Sequence, residues 1–181
     1  MVVRDLEDRD LPAVAAIYGH HVLTGFGSFE ETAPSVEAMA ARSAAVRALG
    51  LPYLVAEENG EALGFAYASA FRPRPAYRYT AEDSVYVAPQ AIGRGVGRAL
   101  LQAVIDRCEA LGVRQLMAII GDSGNAASIG LHRSLNFRVL GVGKSVGYKR
   151  GRWLDIVWMQ RELRDGDRQL PESGGLTLSE C

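Results

Sequence analysis

The sequence predicts an α/β domain of the mixed (α+β) type with a mostly antiparallel sheet. Segments in which apolar and polar residues alternate, typical of strands, are interspersed with segments of helical periodicity. Turns rich in glycine, proline and asparagine separate them and give the order β-α-α-β-β-β-α-β-α-β-β. The chain has 181 residues, 48% of them apolar and 23% charged, which fits one globular domain with a sizeable core.

The N-terminal half begins with a strand and two helices and continues into a hairpin. Pro12 stands in the first turn of the first helix, and Gly50 ends the alanine-rich second helix. An Asn-Gly turn between two apolar runs predicts the β-hairpin. The predicted elements are a strand at 2–6, helices at 11–23 and 34–49, and strands at 53–57 and 63–69.

The C-terminal half combines a long helix with the remaining strands. The helix has apolar residues at the helical period, at 96, 100, 101, 104, 105 and 111. Residues 164–181 carry charge, Gly, Pro and Ser with little periodicity, so we expect a domain at 1–163 and a flexible C-terminal tail. The predicted elements are strands at 81–87 and 115–120, helices at 95–111 and 125–135, and closing strands at 137–146 and 153–162.

Charge and composition argue against several functional classes. The net charge is −1 and the basic residues are spread along the chain, unlike those of nucleic-acid or anionic-membrane binders. No apolar run approaches the roughly 20 residues that span a bilayer, and the acidic N-terminus does not resemble a signal peptide. The cysteines are far apart and lack metal-ligand neighbours, so we expect a reduced, cytoplasmic protein without a metal site. Cys108 falls on the apolar stripe of the long helix and is expected in the core, whereas Cys181 ends the tail.

The most informative segment is a glycine-rich turn between the strand at 81–87 and the long helix. Its glycines permit φ values that aim successive N–H groups at one point, and the helix start adds unpaired N–H groups and a positive dipole end. Together these features form a cradle for a pyrophosphate, to which two arginines can add charge. The cradle residues are Gly93, Arg94, Gly95, Val96, Gly97 and Arg98.

Two other phosphate-binding motifs do not fit this turn. A Walker P-loop ends in Gly-Lys-Ser/Thr, whereas this chain has Gly97-Arg98-Ala99. The dinucleotide fingerprint has two residues between its second and third glycines, whereas one residue separates Gly95 from Gly97. A turn with a purely structural role stays open as an alternative on this motif alone.

Several separated motifs resemble the GCN5-related N-acetyltransferase superfamily. Gln90-x-x-Gly93-x-Gly95 matches its acetyl-CoA motif, and the match continues at 125–132 and 135–137. The segments at 77–87 and 151–155 resemble the branch that contains phosphinothricin and methionine sulfoximine acetyltransferases. The resemblance implies the acyl-CoA N-acyltransferase fold, a mixed sheet with two splayed parallel strands flanked by helices. Asn136 replaces the usual glycine before Phe137, and asparagine tolerates the positive φ of such a turn.

Acetyl-CoA is the cosubstrate that this resemblance implies. Its pantetheine arm would lie between the strands at 81–87 and 115–120 and pair with the backbone of Val85, Tyr86 and Val87. The glycine-rich turn would hold the pyrophosphate, and Asn125 and Ser128 would belong to the cofactor site. Asn125 also fits a simple helix cap, and the two roles are compatible because the cap faces the cofactor.

The reaction needs a neutral amine, so a base must take the proton of the ammonium form. Glu82 matches the family's glutamate and is the candidate base, with an exposed strand-end carboxylate as the alternative. Asp83 should point to the opposite face by strand alternation and make a structural hydrogen bond or turn contact. His132 stands where many family members have a tyrosine, and it either protonates the leaving thiolate or only contacts the cofactor.

The acceptor side is predicted from loops that line the substrate pocket in the resembling enzymes. Phe29, Arg72, Arg74 and Tyr77 map to these loops. Arginines there can hold a carboxylate or a tetrahedral anionic head group through paired hydrogen bonds. A solvated loop around Arg72-Pro73-Arg74 is the alternative. The family likeness also suggests a homodimer, with Trp153 at a pocket wall or dimer contact.

These observations favour acetyl transfer from acetyl-CoA to a small amino-acid-like amine, such as phosphinothricin, methionine sulfoximine or methionine sulfone. Acetylation of a protein N-terminus or lysine would need an open groove, which the aromatic and arginine-rich loops disfavour. A regulatory module that binds acetyl-CoA without turnover is disfavoured by Glu82 and His132.

Arg74→Ala should raise the acceptor KM about tenfold or more, because a hydrogen bond to a charged group contributes about 1.5–3 kcal/mol. The KM for acetyl-CoA should change little, and steady-state kinetics with each substrate varied in turn provides the comparison. A larger rise in the acetyl-CoA KM would assign Arg74 to the cofactor side.

Overall fold

The computed structural model describes residues 1–178, and the elements follow the predicted order. The strands are β1 (Val2–Asp5), β2 (Tyr53–Glu58), β3 (Glu61–Ala70), β4 (Thr80–Val87), β5 (Gln115–Gly121), β6 (Arg138–Lys149) and β7 (Arg152–Glu162). The helices are α1 (Leu11–Thr24), α2 (Val36–Ala48), α3 (Val96–Ala110) and α4 (Ala126–Ser134). The strands form one sheet in the order β1-β2-β3-β4-β5-β7-β6, so the predicted mixed α/β fold is confirmed.

The sheet is antiparallel except between β4 and β5. These two strands are parallel, and their paired residues are only Thr80–Glu82 with Gln115–Met117. Beyond this point β4 stays paired with β3, and β5 stays paired with β7. The two parallel strands therefore diverge, as predicted, and leave a gap between residues 83–87 and 118–121.

Local sequence signals fix the ends of several elements. The β2–β3 hairpin turns at Asn59 and Gly60, whose φ values of 54° and 85° are both in the left-handed region that a two-residue turn favours. The Ser35 hydroxyl accepts the N–H of Ala38 at 3.2 Å, so α2 begins at Val36 and not at Pro34 as predicted. Asn136 has φ 63°, which confirms that asparagine serves in place of glycine in that turn.

Helices cover both faces of the sheet. Phe65 of β3 faces α1, and its ring centroid lies 6.4 Å from that of Tyr18. The neighbouring Gly64 faces α3, where a Cβ would lie 2.7 Å from the Tyr86 carbonyl oxygen and 3.2 Å from Leu100. The missing side chain at Gly64 thus lets α3 approach the sheet closely.

The apolar stripe of α3 forms the centre of the core on its face of the sheet. Cys108 is fully buried there, as predicted. Leu111, the last predicted residue of this helix, lies one position beyond the end of α3 at Ala110 and is 41% exposed. The buried residues of α3 are Val96, Leu100, Leu101, Val104, Ile105 and Cys108.

Residues 163–178 follow the last strand without forming a helix or strand. The Tyr79 hydroxyl donates to the Ser173 carbonyl at 2.6 Å, and the Leu176 N–H donates to the Arg78 carbonyl at 2.8 Å. Leu176 is itself buried. The flexibility of the tail stays a prediction, and Cys181 lies outside the described residues. No helix in residues 1–178 combines the length and the apolarity needed to cross a bilayer.

A buried ammonium group ties the end of α1 to the β6–β7 hairpin. Lys149 is only 1% exposed, and its Nζ donates to the carbonyls of Val22 at 2.9 Å, Gly25 at 3.1 Å and Ser28 at 2.7 Å. All three acceptors belong to the C-terminal part of α1 and the loop after it. Lys149 therefore fixes the path of that loop.

Lys149→Met should lower the free energy of unfolding by about 1–3 kcal/mol, because three carbonyls lose their donor while part of the loss is offset by removal of a buried charge. Lys144→Met is the matched control. The Lys144 side chain is 73% exposed, and among the described residues its salt bridge is with Asp155. Its loss should cost under about 1 kcal/mol. Chemical denaturation of both variants tests this, and equal effects would contradict a clamping role for Lys149.

Candidate active site

A cleft of about 620 Å³ opens where β4 and β5 diverge. One wall is the freed end of β4 and another is the freed end of β5. The loop after α1, the glycine-rich turn and α4 close the remaining sides. The lining includes residues 83–87, 118–122, 25–28, 91–93, 95–98 and 125, 127, 128, 131 and 132, together with His21.

The β4 backbone presents alternate residues to this cleft. The Ala88 N–H donates to the Leu63 carbonyl of the β3 side at 2.9 Å, whereas the Val87 carbonyl accepts from His21 Nε2 at 2.8 Å. Because backbone groups alternate in direction along a strand, those of Val85 and Val87 point into the gap and those of Tyr86 point to β3. The backbone groups of Val85 and the N–H of Val87 thus face the cleft, whereas the Val87 carbonyl is already bonded to His21.

The glycine-rich turn has the predicted backbone geometry. Gly93 and Gly95 have φ of 79° and 80°, in the left-handed region, and a Cβ on either would meet no atom within 4 Å. The Ala99 N–H donates to the Gly95 carbonyl at 3.1 Å, so the N–H groups of Gly95, Val96, Gly97 and Arg98 precede the helical hydrogen bonds. This helix start therefore offers N–H groups and open space to an anion.

The two arginines of the turn already have partners. Arg98 Nη1 donates to the carbonyl of Ser134 at 3.1 Å and to its hydroxyl at 2.7 Å, which ties α3 to the end of α4. The Arg94 guanidinium pairs with Glu58 at the end of β2. Val96 is buried in the core beneath the turn. The cradle therefore rests on backbone groups more than on side-chain charge.

Asn125 and Ser128 mark the start of α4 at the cleft wall. Asn125 Oδ1 accepts the Ser128 N–H at 3.2 Å, so the predicted helix cap is confirmed. Both residues also line the cleft. A capping role and a cofactor role are thus compatible in position.

Glu82 lies on the face of the sheet opposite to Asp83, as strand alternation predicts. It is half-buried and stands where the pairing of β4 with β5 ends, opposite Met117. Burial, aided by the Asp83 charge, raises the pKa of Glu82 to about 6, and the Arg72 guanidinium limits the rise. Such a carboxylate accepts protons readily near neutral pH.

Asp83 and His132 form a buried pair on the α4 side of the cleft. His132 Nε2 lies 3.0 Å from Asp83 Oδ2, and the side chains are 5% and 1% exposed. His132 Nδ1 lies 2.8 Å from the Ser128 carbonyl oxygen. The structural hydrogen bond predicted for Asp83 is confirmed, and its partner is the second candidate catalytic residue.

The predicted acceptor-side residues lie outside the lining of this cleft. Arg72 packs its guanidinium on Phe71 at 4.5 Å from the ring centroid, and Tyr77 meets the same ring edge-on at 5.7 Å. Arg74 lies in the same exposed loop. Phe29 instead packs against the β6–β7 hairpin, where a Cβ on Gly147 would lie 2.2 Å from its ring. Arg72 is brought towards Glu82, whereas Phe29 also borders the end of β5, where a Cβ on Gly121 would lie 3.0 Å from its ring.

Two further contributors to the site depend on contacts between distant segments, which local sequence patterns do not show. The loop at 25–28 lines the cleft, and its anchor Lys149 is distant in the sequence. The hydrogen bond of His21 to the Val87 carbonyl also fixes the end of β4, and burial lowers the pKa of His21 so that it stays neutral. Gly25 and Gly27 mark the segment as a loop but do not indicate its anchor.

The splayed strands, the anion-binding helix start and the flanking carboxylate define an enzyme of the acyl-transfer class. A family model described as the acetyltransferase (GNAT) family matches residues 15–137, and the chain belongs to this family.

Three individual relatives cover nearly the whole chain. The chain is 60% identical over 170 residues to a phosphinothricin N-acetyltransferase from Alcaligenes faecalis, covering 94% of this chain and 86% of the relative. It is 43% identical to an L-methionine sulfoximine/L-methionine sulfone acetyltransferase from Pseudomonas paraeruginosa, covering 93% and 98%. A solved phosphinothricin acetyltransferase from Sinorhizobium meliloti, in complex with acetyl-CoA, superposes with a TM-score of 0.92 at 46% identity, covering 96% and 94%.

Proposed function

We propose that this chain transfers the acetyl group of acetyl-CoA to the amino group of a small amino-acid-like acceptor. Phosphinothricin, methionine sulfoximine and methionine sulfone are the acceptors that the relatives favour. The observation that carries the proposal is the cleft between the diverging strands, with Glu82 beside the point of divergence. The widely separated cysteines favour a reducing, cytoplasmic setting for this reaction.

The cleft has the groups that acetyl-CoA requires. The backbone groups of Val85 and the N–H of Val87 suit the amides of a pantetheine arm, which would extend β4 as a neighbouring strand does. The N–H groups at 95–98 and the space beside Gly93 suit a diphosphate. Asn125 and Ser128 would contact the arm at the α4 wall. Acetyl-CoA supplies the activated thioester.

Glu82 is the base in this proposal. An amino-acid amine is mostly protonated at neutral pH and cannot attack a carbonyl in that form. A carboxylate with a pKa of about 6 is ionised at neutral pH and can take the ammonium proton directly or through water. A backbone N–H of the freed β4 segment would stabilise the oxyanion that forms when the amine attacks.

The acceptor's acidic group would bind the arginine loop. Arg72 lies close enough to Glu82 for its charge to affect the pKa of that carboxyl. An acceptor held by Arg72 and Arg74 would thus present its amine near the base. Tyr77, which packs on Phe71, would form an apolar side of this pocket. Phe29, which packs against the β6–β7 hairpin, would border the pocket on another side.

Release of free CoA with a panel of acceptors tests the function. Turnover with methionine sulfoximine, methionine sulfone or phosphinothricin, and none with peptides, supports it. Turnover with peptide N-termini or lysines alone would favour protein acetylation. Acetyl-CoA binding by calorimetry without turnover on any acceptor would leave a regulatory module as the remaining function.

Glu82→Gln should lower kcat about 100-fold, which is within the range for loss of a general base, with acetyl-CoA affinity nearly unchanged. In the wild type, kcat/KM should rise with pH through about 6 as Glu82 ionises, and this rise should vanish in the variant. Glu61→Gln, an exposed change at the start of β3, is the control and should retain the wild-type profile. Wild-type activity in Glu82→Gln would remove Glu82 from the mechanism.

We further propose that two copies of the chain associate through the β6–β7 hairpin. Several of its large apolar side chains are exposed, and exposed apolar surface in this amount is typical of an interaction site. Trp153 is 63% exposed and contacts the ring of Tyr148. The other exposed members are Val139, Leu140, Val142, Val146 and Trp158.

Trp153→Ser should shift the protein from a dimer to a monomer of 19.5 kDa by removing the largest part of this surface. Light scattering coupled to size exclusion measures the mass across a concentration series. Leu170→Ser is the control, because Leu170 is 89% exposed and lies outside the hairpin. A wild-type chain that is monomeric throughout would contradict the proposed dimer.

A further inference from the structure

Both ring nitrogens of His132 face hydrogen-bond acceptors. The Ser128 carbonyl oxygen, 2.8 Å from Nδ1, can only accept, so Nδ1 donates. The Asp83 carboxyl oxygen lies 3.0 Å from Nε2. A neutral imidazole carries one N–H, which Nδ1 already uses, so a carboxylate at Asp83 requires a second proton on Nε2.

The surroundings of Asp83 favour this second proton. Asp83 Oδ1 is buried and has no hydrogen-bond partner among the described residues, so the carboxylate depends on His132 for stabilisation. Burial alone would lower the pKa of His132, but the hydrogen bond and charge of Asp83 and the Ser128 carbonyl together raise it. The imidazolium–carboxylate form therefore suits both partners.

The other titratable groups near the pair do not supply a competing proton. Burial, aided by the Asp83 charge, raises the pKa of the Cys108 thiol in α3 to about 12, so the thiol stays neutral. Glu82 of β4 lies on the opposite face and interacts with Arg72. Arg161 of β7 donates to the Leu135 carbonyl at 2.8 Å, at the end of α4. His132 also has the Ser128 hydroxyl 3.5 Å from Nδ1 and the edge-on ring of Phe137 5.0 Å away.

We propose that Asp83 is a positioning residue that holds His132 doubly protonated at the wall of the cleft, so that the pair stores the proton taken by the departing thiolate. This inference deepens the acetyl transfer proposed above and rests on it. Both residues line the cleft, Asp83 directly before the strand edge assigned to the pantetheine arm.

The protons balance over one turnover. Glu82 first takes the ammonium proton of the acceptor and passes it to solvent. The neutral amine nitrogen then bonds to the acetyl carbon and loses a second proton to Glu82, and the carbon–sulfur bond breaks with its electron pair on sulfur. The thiolate takes the Nε2 proton of His132 and leaves as the thiol. His132 is then neutral and still donates from Nδ1 to Ser128, with its bare Nε2 facing a carboxylate. This unfavourable contact draws a proton from solvent, to which Glu82 releases its own.

Asp83→Asn isolates the effect of the charge. The amide has the shape of the carboxyl group and can donate to a neutral Nε2, so His132 keeps its place. Because the amide carries no negative charge, it no longer stabilises the imidazolium form of His132. Nitrogen-15 NMR of the imidazoles should show N–H on both nitrogens of His132 at pH 7 in the wild type and on Nδ1 alone in Asp83→Asn. His132→Gln assigns the signal among the three histidines. A neutral His132 in the wild type at pH 7 overturns the proposal, whatever the Asp83→Asn variant shows.

Kinetics tests whether Asp83 acts through His132. In Asp83→Asn, kcat at pH 8 should fall about tenfold or more and its alkaline decline should move to lower pH, while the acetyl-CoA KM changes little. In a His132→Gln background, Asp83→Asn should cost nothing further, whereas a structural role would still lower activity. Independent losses that multiply would overturn the positioning role. A wild type that acetylates no acceptor would refute the proposed function, while the NMR result would still decide the state of the pair.

Discussion

The site depends on how soon β4 and β5 stop pairing. Three residues of each strand are joined, and beyond Glu82 and Met117 each strand is held only by its other neighbour. A parallel pair that continued would use the backbone groups of Val85 and Val87 and would leave no space for a ligand. Because the pairing ends there, one structural event creates both a cleft and a strand edge that a linear, amide-bearing cofactor can occupy.

The same position explains how two adjacent carboxylates have different roles. Successive residues of a strand point to opposite faces, so Glu82 and Asp83 enter separate environments although they are neighbours in sequence. Glu82 is partly desolvated, and the Arg72 charge only limits the rise of its pKa to about 6, so Glu82 is basic near neutral pH. Asp83 has an imidazole within hydrogen-bond distance. In the proposed reaction the strand thus places proton acceptance on one face of the gap and proton supply on the other.

The order of elements could be predicted because it depends on local signals. Alternation, helical periodicity and turn residues such as Asn59-Gly60 act within a few positions, and the splay followed from the family resemblance. Where the helix ended earlier than the apolar pattern, as at Leu111, local periodicity was insufficient. The cradle was predictable for a similar reason, since glycine is the residue that adopts its backbone angles freely.

Contacts between distant segments could not be predicted in the same way. In the sequence, Lys149 cannot be distinguished from an ordinary hairpin lysine. Only the folded chain brings its ammonium group within 3.1 Å of three carbonyls that lie more than a hundred residues earlier. The pairing of Asp83 with His132 spans 49 positions. Strand alternation gave the face on which Asp83 lies, but the residue that meets it depends on how α4 packs on the sheet.

Gly64 shows how a residue without a side chain constrains chemistry that it does not touch. It pairs with Val87, at the closed edge of the strand whose other edge borders the cleft. A methyl group there would collide with the Tyr86 carbonyl and with α3. Relief of that collision would shift β4 sideways and change the width of the gap. Substitutions at this position would therefore change the affinity for the cofactor, although no atom of residue 64 contacts the ligand.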